Sequence, residues 1–385
     1  MKLGIIDTNN IGLSFGLLCE KNGFEVLLSN SNEDYVFNLN QKICITDEPL
    51  IQSLLFDCVK FSATTSNLEV IRESDIIFVF SDTPINLEGN YDTTNVFNVL
   101  TNFYTLSSQD VPLYEKKLVI CSTTNPGEME QIQTRLNMFN IQVAYNPLFV
   151  EHGNIVKSLQ ESDMVLIGCE YQDLSNELIH IHSKIRKVTV NAYVMSHKAS
   201  EIVKLSINTF ISSKINQANM VGQMAIKSGI ENEIGMILTA IGGFDGIGKK
   251  YLSYGFGFGG PIINGDNKAL KHYINNIGLE PTIINTNDDF NEKQLNFIKE
   301  YYIQKNPTGN LPFIFNHLTY KKGINVLEES QQFKLCVDLL DNGFNVNVIE
   351  SPQIMSELNE LSEKYEGRLQ FYKPGTNPSG ILINL

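Results

Sequence analysis

The sequence predicts an α/β protein built in three parts. Short apolar runs alternate with amphipathic stretches in the first half, a long helical pattern follows, and the same alternation returns towards the end. Strands buried on both faces and separated by helices are typical of a parallel, doubly wound sheet. We therefore expect a doubly wound domain over residues 1–195, a central helical domain over 196–294 and a smaller α/β domain over 295–385.

The strands of the first domain are predicted by short runs of apolar residues. Helical patterns lie between several of these runs, for example Ile11–Asn22. Such alternation favours parallel neighbours, because parallel strands need a crossover connection. The predicted strands are Leu3–Ile6, Glu25–Leu28, Ile76–Phe80, Leu118–Cys121, Val143–Tyr145 and Val165–Gly168.

The central domain begins with a helical pattern from Lys198 to Ser228, which Gly229 ends as a C-cap. At 1.5 Å per residue this helix spans roughly 45 Å. A helix of that length usually bridges two domains or carries a dimer interface, so we expect a homodimer. A second helix is predicted at about 231–240, followed by a glycine-rich loop.

The last domain repeats the α/β pattern after a linker marked by Pro307 and Gly309. Its predicted elements are the strands Phe313–Phe315, Val346–Ile349, Leu369–Tyr372 and Ile381–Ile383, and the helix Ser330–Leu340.

Composition and charge narrow the possible partners. The 385 residues carry a net charge of −14, which repels phosphate backbones and argues against nucleic acid. No signal peptide and no membrane-spanning run are readable, so we expect a cytoplasmic protein. The six cysteines are scattered through apolar runs and predict buried, reduced thiols. Neither Cys-x-x-Cys spacing nor a Cys/His cluster occurs, so no metal site is expected.

Five local motifs occur in order along nearly the full length of the chain. They are Ser122-Thr123, Asn146-Pro147, Glu201-Ile-Val-Lys204-Leu-Ser-Ile-Asn208 with Lys214, Gly255–Gly260 with Asp266, and Leu318-Thr-Tyr-Lys321. Together they resemble the UDP-glucose/GDP-mannose dehydrogenase family. The resemblance implies a Rossmann-like NAD-binding-type domain, a central domain that carries dimerisation, and a third domain that closes over a nucleotide sugar, most readily a UDP-sugar.

The resemblance also implies roles for individual residues. Lys204 and Asn208 lie one helical turn apart on one face, and with Thr123 and Asp266 they are the candidate catalytic residues. Lys204 and Asn208 would hold a sugar hydroxyl or a water during the first oxidation. The alternative for them is a solvated lysine and an ordinary polar helix position.

The glycine-rich loop is the candidate substrate-binding segment. Phe256, Gly257 and Gly260, together with Lys321, would lie against the nucleotide and its diphosphate, because glycine lets backbone amides approach a ligand closely. The alternative is a flexible connector, although linkers rarely carry paired aromatic residues. Lys321, like Lys214, is alternatively an ordinary surface charge.

Candidate cofactor residues are Gly12, Asn30, Thr83 and Thr123, but the dinucleotide fingerprint is damaged. Two of its three glycines are missing from the stretch Asp7–Gly12, where only the packing glycine remains. Asp7 would place a carboxylate, and Asn9 a side chain, where the pyrophosphate would have to lie. Asn30 stands where an acidic residue would bind the ribose. We therefore expect no cofactor to bind tightly, and NAD only if the protein is active.

The chemistry of the family is also incomplete in this sequence. Oxidation of an alcohol to an acid needs a thiolate that traps the aldehyde, and Ile262 occupies that position. Leu148 and His152 replace two family carboxylates, and Gly265 replaces a lysine.

Three interpretations follow from these departures. The first is a degenerate homologue that binds a nucleotide sugar without four-electron oxidation. The second is an active NAD-dependent nucleotide-sugar dehydrogenase that stops at the aldehyde or holds the dinucleotide in an unusual pose. The third is a non-redox enzyme that acts on a nucleotide sugar and uses Lys204 or His152 as acid or base.

Overall fold

The computed structural model describes residues 1–189 and 191–384. The chain divides into two compact units, Met1–Leu205 and Ser206–Leu385. The longest helix, α9 (His197–Lys227), begins in the first unit and ends in the second. The predicted α/β class, the long central helix and the smaller C-terminal α/β part are confirmed, whereas the three-domain division stays a prediction.

The first unit contains an eight-stranded sheet in the order β3-β2-β1-β4-β5-β6-β7-β8. Its strands are β1 Lys2–Ile6, β2 Glu25–Ser29, β3 Phe61–Thr64, β4 Ile76–Val79, β5 Lys117–Ile120, β6 Gln142–Tyr145, β7 Met164–Cys169 and β8 Asn191–Met195. Its helices are α1 Asn10–Lys21, α2 Glu33–Asn40, α3 Ile51–Asp57, α4 Asn67–Glu73, α5 Thr94–Ser108, α6 Glu128–Leu136, α7 Ile155–Glu161 and α8 Gln172–Ile185, with a 3-10 turn at Asn137–Phe139.

Two features of this sheet differ from the prediction. The edge strands β3 and β8 were not predicted, because both are partly exposed and neither forms a continuous apolar run. The sheet is also not wholly parallel, since β6 and β7 pair antiparallel. A strand buried on both faces has the same apolar pattern in either direction, so the sequence does not reveal this reversal.

Alternate residues of the inner strands fill two separate cores. In β2, Val26 and Leu28 pack on one side with Leu3 and Ile5, whereas Leu27 packs on the other with Ile6. This two-sided burial explains why these strands are readable from sequence. All six cysteines are buried with free thiols, as predicted.

The second unit combines helices with a four-stranded parallel sheet in the order β11-β10-β9-β12. After the end of α9 come a 3-10 turn at Glu231–Glu233, α10 Ile234–Gly242, α11 Pro261–Asn276, α12 Thr282–Gln304, β9 Phe313–Phe315, α13 Gln331–Asp341, β10 Val346–Ile349, α14 Pro352–Glu357, α15 Asn359–Lys364, β11 Leu369–Tyr372 and β12 Ile381–Leu382. The helices α11 and α12 were not predicted, and the expected boundary at residue 295 falls inside α12. Within the described ranges, no helix has the length and apolar character that a membrane crossing requires.

A buried histidine lies beside the end of β6. The Nε2 atom of His182 lies 2.7 Å from Asn146 Oδ1, while the Asn146 amide donates to the carbonyl of Leu166. The imidazole therefore donates from Nε2, and its buried Nδ1 has no hydrogen-bond partner among the described residues. Burial lowers the pKa of His182 to about 3, so the folded protein holds a neutral ring.

We predict that acid destabilises the first unit through His182. Its folded pKa lies below the unfolded value, so its stabilising contribution is complete above about pH 6.5 and is lost as the pH falls towards 3. The loss of unfolding free energy over the first two pH units is on the order of 2 kcal/mol. His182→Gln keeps a donor for Asn146, and its melting temperature should fall less between pH 6.5 and 4.5. The control is His180→Gln on the exposed face of α8, which should behave like the unmodified protein. Equal pH dependence in all three proteins would contradict the prediction.

Candidate functional site

The carboxyl edge of the first sheet gathers the loops that follow three neighbouring strands. The strands β1, β4 and β5 end at Ile6, Val79 and Ile120 and lie side by side. Ligands of doubly wound sheets bind outside this edge. The predicted cofactor residues Thr83 and Thr123 lie here, both partly buried, in the loops after β4 and β5.

The first turn of α1 is capped by the side chain of Asn9. Its Oδ1 atom accepts the backbone N–H groups of Ile11 at 3.0 Å and Gly12 at 3.1 Å. Its Nδ2 atom donates to the carbonyl of Phe80 at 3.1 Å and to the carboxylate of Asp82 at 3.2 Å. Donors at the start of a helix are the groups that would bind a pyrophosphate. In α1, two of them are engaged by the protein itself.

Two carboxylates lie beside this helix start. The Asp7 carboxylate accepts the Ser81 hydroxyl, and Asp82 accepts the Asn9 amide. Asp7 also adopts a left-handed backbone conformation with φ of 54°, which glycine adopts at less cost. A pyrophosphate would therefore have to displace the Asn9 cap and then approach two negative charges. These residues do not fit the cofactor site of a dinucleotide-binding enzyme.

The other two candidate cofactor residues serve the packing of the first unit. A Cβ atom on Gly12 would lie 2.9 Å from the Phe80 ring, so this glycine permits close packing of α1 on the sheet. The Asn30 amide donates to the carbonyl of Thr8 at 2.8 Å, and its Oδ1 accepts the N–H of Asn32. Asn30 thus ties the end of β2 to the loop after β1.

Glu201 is a buried carboxylate to which sequence reasoning assigned no role. Its oxygens accept the Thr124 hydroxyl at 2.8 Å and the N–H groups of Gly127 at 2.6 Å and Met129 at 3.0 Å. Burial raises its pKa to about 7, against the opposing effect of these three hydrogen bonds. Glu201 therefore joins α9 to the loop that carries Thr123. The sequence signals for Glu201 were its place in the helical pattern and in the matching segment of residues 201–208.

The loop after β6 lacks the carboxylates of the family but has a different one nearby. The Glu48 carboxylate accepts the N–H groups of Gly153 at 2.5 Å and Ile155 at 3.1 Å. Leu148 and His152 are both partly buried in this loop. Glu48 is thereby engaged in fixing the backbone at the start of α7.

Two of the four candidate catalytic residues meet in the second unit. The Asn208 amide on α9 donates to the carboxylate of Asp266 on α11, and Asp266 is fully buried. One residue further along each helix, the Thr209 hydroxyl donates to Asn267 Oδ1 at 2.8 Å. In the first unit, Lys204 is buried on α9 with 6% of its surface exposed, which excludes the alternative of a solvated lysine.

The glycine-rich loop of residues 255–260 is held by hydrogen bonds. Asn219 on α9 accepts the N–H of Gly255 at 2.9 Å and donates to the carbonyl of Phe256 at 3.3 Å. On α12, Gln294 donates to the carbonyl of Gly255 at 2.7 Å and Asn291 to that of Phe258 at 2.9 Å. A flexible connector would lack such anchors, so the loop is an ordered part of the second unit.

Glycine is required in this loop because protein groups occupy the space of the missing side chains. A Cβ atom on Gly257 would lie 1.8 Å from Asn291 Oδ1, and one on Gly259 would lie 2.7 Å from the carbonyl oxygen of Glu329. Gly260 has φ of 78° and packs against the ring of Tyr320. From the sequence, a ligand is expected to approach the glycine backbone closely. On this side of the loop, the groups that approach it are protein groups.

The position of the family thiol lies in the first turn of α11. Gly260 is the N-cap, Pro261 is the first helical residue, and Ile262 follows with a partly buried aliphatic side chain. Gly265 is buried in the same helix and offers no charge. Lys321 is exposed in the loop after β9, and Lys214 donates to the carbonyl groups of Ile247 and Gly248. Among the described residues, no group of His, Cys, Asp and Glu side chains is arranged to hold a metal ion.

Comparison with known proteins connects these features with one family. Residues 1–186 match the NAD binding domain of the UDP-glucose/GDP-mannose dehydrogenase family, and residues 198–293 match its central domain. A putative UDP-glucose 6-dehydrogenase of Bacillus subtilis, YtcA, is 23% identical over 365 residues, which covers 93% of this chain and 83% of that protein. An uncharacterised protein of Methanocaldococcus jannaschii, MJ1054, is 26% identical over 273 residues, which cover 69% of this chain. The chain spans only 30% of the length of that protein.

Solved structures share the fold. A UDP-glucose dehydrogenase from Pyrobaculum islandicum superposes with a TM-score of 0.83 at 22% identity, covering 96% of this chain and 85% of that one. A UDP-D-ManNAc dehydrogenase from Pyrococcus horikoshii gives a TM-score of 0.77 at 18% identity, with coverage of 100% and 99%. From the two domain matches, which span most of its length, we conclude that this chain belongs to the UDP-glucose/GDP-mannose dehydrogenase family.

Proposed function

We propose that this protein binds a nucleotide sugar, most readily a UDP-sugar, without carrying out NAD-dependent four-electron oxidation. The observation that carries this proposal is the Asn9 side chain on the first turn of α1, where it engages the N–H groups of Ile11 and Gly12. The proposal separates two properties of the family, of which nucleotide-sugar binding is retained and dinucleotide chemistry is lost.

The loss of dinucleotide binding is supported by electrostatics as well as by the cap. Asp7 and Asp82 flank the start of α1, and an uncompensated carboxylate beside a phosphate costs on the order of 1–4 kcal/mol at intermediate dielectric. Releasing Asn9 would also forfeit a helix cap, whose removal typically costs about 1 kcal/mol. We therefore propose that NAD binds weakly or not at all.

We propose that the protein does not oxidise the aldehyde to the carboxylic acid, because Ile262 has no nucleophilic group to trap that aldehyde. A thiolate would have to trap the aldehyde before a second hydride could leave. Every one of the six cysteines is buried, and burial raises the pKa of the Cys19, Cys121 and Cys336 thiols. A buried neutral thiol is a poor nucleophile.

Retained sugar-nucleotide binding is supported by the order of the second unit. The glycine-rich loop is fixed by three buried amides, and Asn208 is paired with Asp266. Several of the matching relatives and structures act on UDP-sugars according to their names, including the UDP-glucose 6-dehydrogenase of Campylobacter jejuni, 26% identical over 372 residues, 95% of this chain and 90% of that protein. UDP-sugars are accordingly the first ligands to test.

The Asn208–Asp266 pair also favours a second candidate function. An active NAD-dependent dehydrogenase that stops at the aldehyde would need one hydride transfer, which does not require the thiol. This candidate requires the dinucleotide to bind in a pose that leaves the Asn9 cap in place.

The test is a calorimetric titration with UDP-glucose, UDP-N-acetylglucosamine and GDP-mannose, followed by absorbance of NADH after NAD is added. We expect micromolar binding of at least one nucleotide sugar and no NADH formation. Ile262→Cys should bind the same ligand and still form no NADH, because several defects in one reaction do not repair singly. NADH formation by either protein would favour the second candidate function, and binding of none of the three ligands would contradict the proposal.

We also propose that the protein is a homodimer through α9 and α10. Phe210, Met220 and Met224 recur along one side of α9 and are 78%, 39% and 56% exposed. The helix α10 is almost wholly apolar, yet only Leu238 and Gly242 in it are buried. An exposed apolar surface of this kind is typical of a subunit interface.

We predict a dimer in sedimentation at tens of micromolar protein. Phe210→Glu and Met224→Glu should each weaken dimerisation at least about tenfold, because a charge would be desolvated at the interface. The matched control is Ile283→Glu on α12, where an isoleucine that is 69% exposed is changed in the same way and should leave the dimer intact. A monomer for the unmodified protein would refute this arrangement.

A further inference from the structure

The glycine-rich loop of residues 255–260 has an uneven distribution of hydrogen bonds. Four of its carbonyl groups, at Gly255, Phe256, Phe258 and Gly260, accept side-chain amides. Its terminal N–H groups are also engaged, Gly255 by Asn219 and Gly260 by the carbonyl of Glu329 at 3.4 Å. The four N–H groups between them, at residues 256–259, make no hydrogen bond with any described residue.

Three of the four amide donors are buried side chains. Asn219 and Gln294 are fully buried, and Asn291 is 7% exposed. Gln294 is itself held by Gln223, whose amide donates to Gln294 Oε1 at 2.6 Å. Burying an amide without a hydrogen bond lowers the stability of the folded protein, so each buried amide needs a partner. For all three side chains, the amide donates to a carbonyl group of the loop. We call Asn219, Asn291 and Gln294 the amide clamp.

We propose that the amide clamp is a set of positioning residues that turns the loop into a preformed donor surface for an oxyanion. By binding the carbonyl groups, the clamp leaves the consecutive N–H groups of residues 256–259 available, and consecutive free backbone N–H groups favour anions. The oxyanion is the diphosphate of a nucleotide sugar, so this inference rests on the proposed function. The clamp residues act through the loop and need not touch the ligand.

The chain offers a matched control for a clamp variant. Asn216 lies three residues before Asn219 on α9, is 5% exposed and donates to the carbonyl of Asn287 at 2.9 Å. It therefore supplies the same buried amide to a helix instead of the loop. Asn219→Leu and Gln294→Met remove clamp donors, whereas Asn216→Leu removes the hydrogen bonds from α9 to Asn287 on α12. Gln294→Met removes a clamp donor from a different helix and provides the second variant if Asn219→Leu does not fold.

Two measurements on the full chain test the clamp. Amide hydrogen exchange without ligand should be at least about tenfold faster at Gly255 in Asn219→Leu and unchanged there in Asn216→Leu. The dissociation constant of the tightest ligand among UDP-glucose, UDP-N-acetylglucosamine and GDP-mannose should rise about tenfold in Asn219→Leu and Gln294→Met, and less than about twofold in Asn216→Leu. Both results together support the positioning role.

The outcomes that overturn the inference are distinct from failure of the proposed function. Unchanged exchange at Gly255 would show that the clamp does not hold the loop. Faster exchange with unchanged affinity would show that the clamp holds the loop without serving the ligand. If the unmodified protein binds none of the three nucleotide sugars, the proposed function fails and the positioning role fails with it, while the exchange rates still decide whether these amides hold the loop.

Discussion

The hydrogen bonds from the start of α1 to the Asn9 side chain determine how the first unit can be used. They satisfy two donors that an anion would otherwise bind, and they tie the loop after β1 to the end of β4 through Phe80 and Asp82. Because Asn9 is part of the folded chain, its side chain is always next to the N–H groups of Ile11 and Gly12. Any pyrophosphate has to compete with it for these two donors. The sheet behind it retains its full packing, so the proposed loss of dinucleotide binding does not require loss of the fold.

The second unit distributes its backbone donors in the opposite way. In the loop of residues 255–260, side-chain amides engage the carbonyl groups and leave interior N–H groups available. In α1, a side-chain oxygen engages the N–H groups. We propose that the same chemical group, a side-chain amide, blocks an anion site in α1 and prepares another in the loop. This contrast gives a physical reason why a nucleotide sugar would be retained when a dinucleotide is not.

Much of the fold could be predicted from the sequence because buried strands and amphipathic helices leave clear patterns. The strands β1, β2, β4, β5, β6 and β7 are continuous apolar runs. Strands β3 and β8 lie at the sheet edges and are partly exposed, so they leave no such run. The antiparallel pairing of β6 and β7 depends on chain direction, which the apolar pattern does not record.

The candidate site was predictable only in part, for a related reason. Sequence reasoning identified Asp7 and Asn9 as obstacles to a pyrophosphate but not the cap, which depends on the orientation of one side chain. Glu201 and the amide clamp escaped it because each acts on backbone groups far along the chain. The partners of such residues are set by tertiary packing, which has no local signature.

If Asn9 and Asp7 close the start of α1 to a dinucleotide, replacing both residues should improve the binding of NAD. The most direct measurement is a calorimetric titration of NAD into the unmodified protein and into the double variant Asp7→Gly, Asn9→Gly. Both positions tolerate glycine, since Asp7 already has positive φ and glycine caps a helix at little cost. We predict a dissociation constant weaker than about 1 mM for the unmodified protein and at least tenfold tighter binding by the variant. A low-micromolar dissociation constant for the unmodified protein would contradict the account.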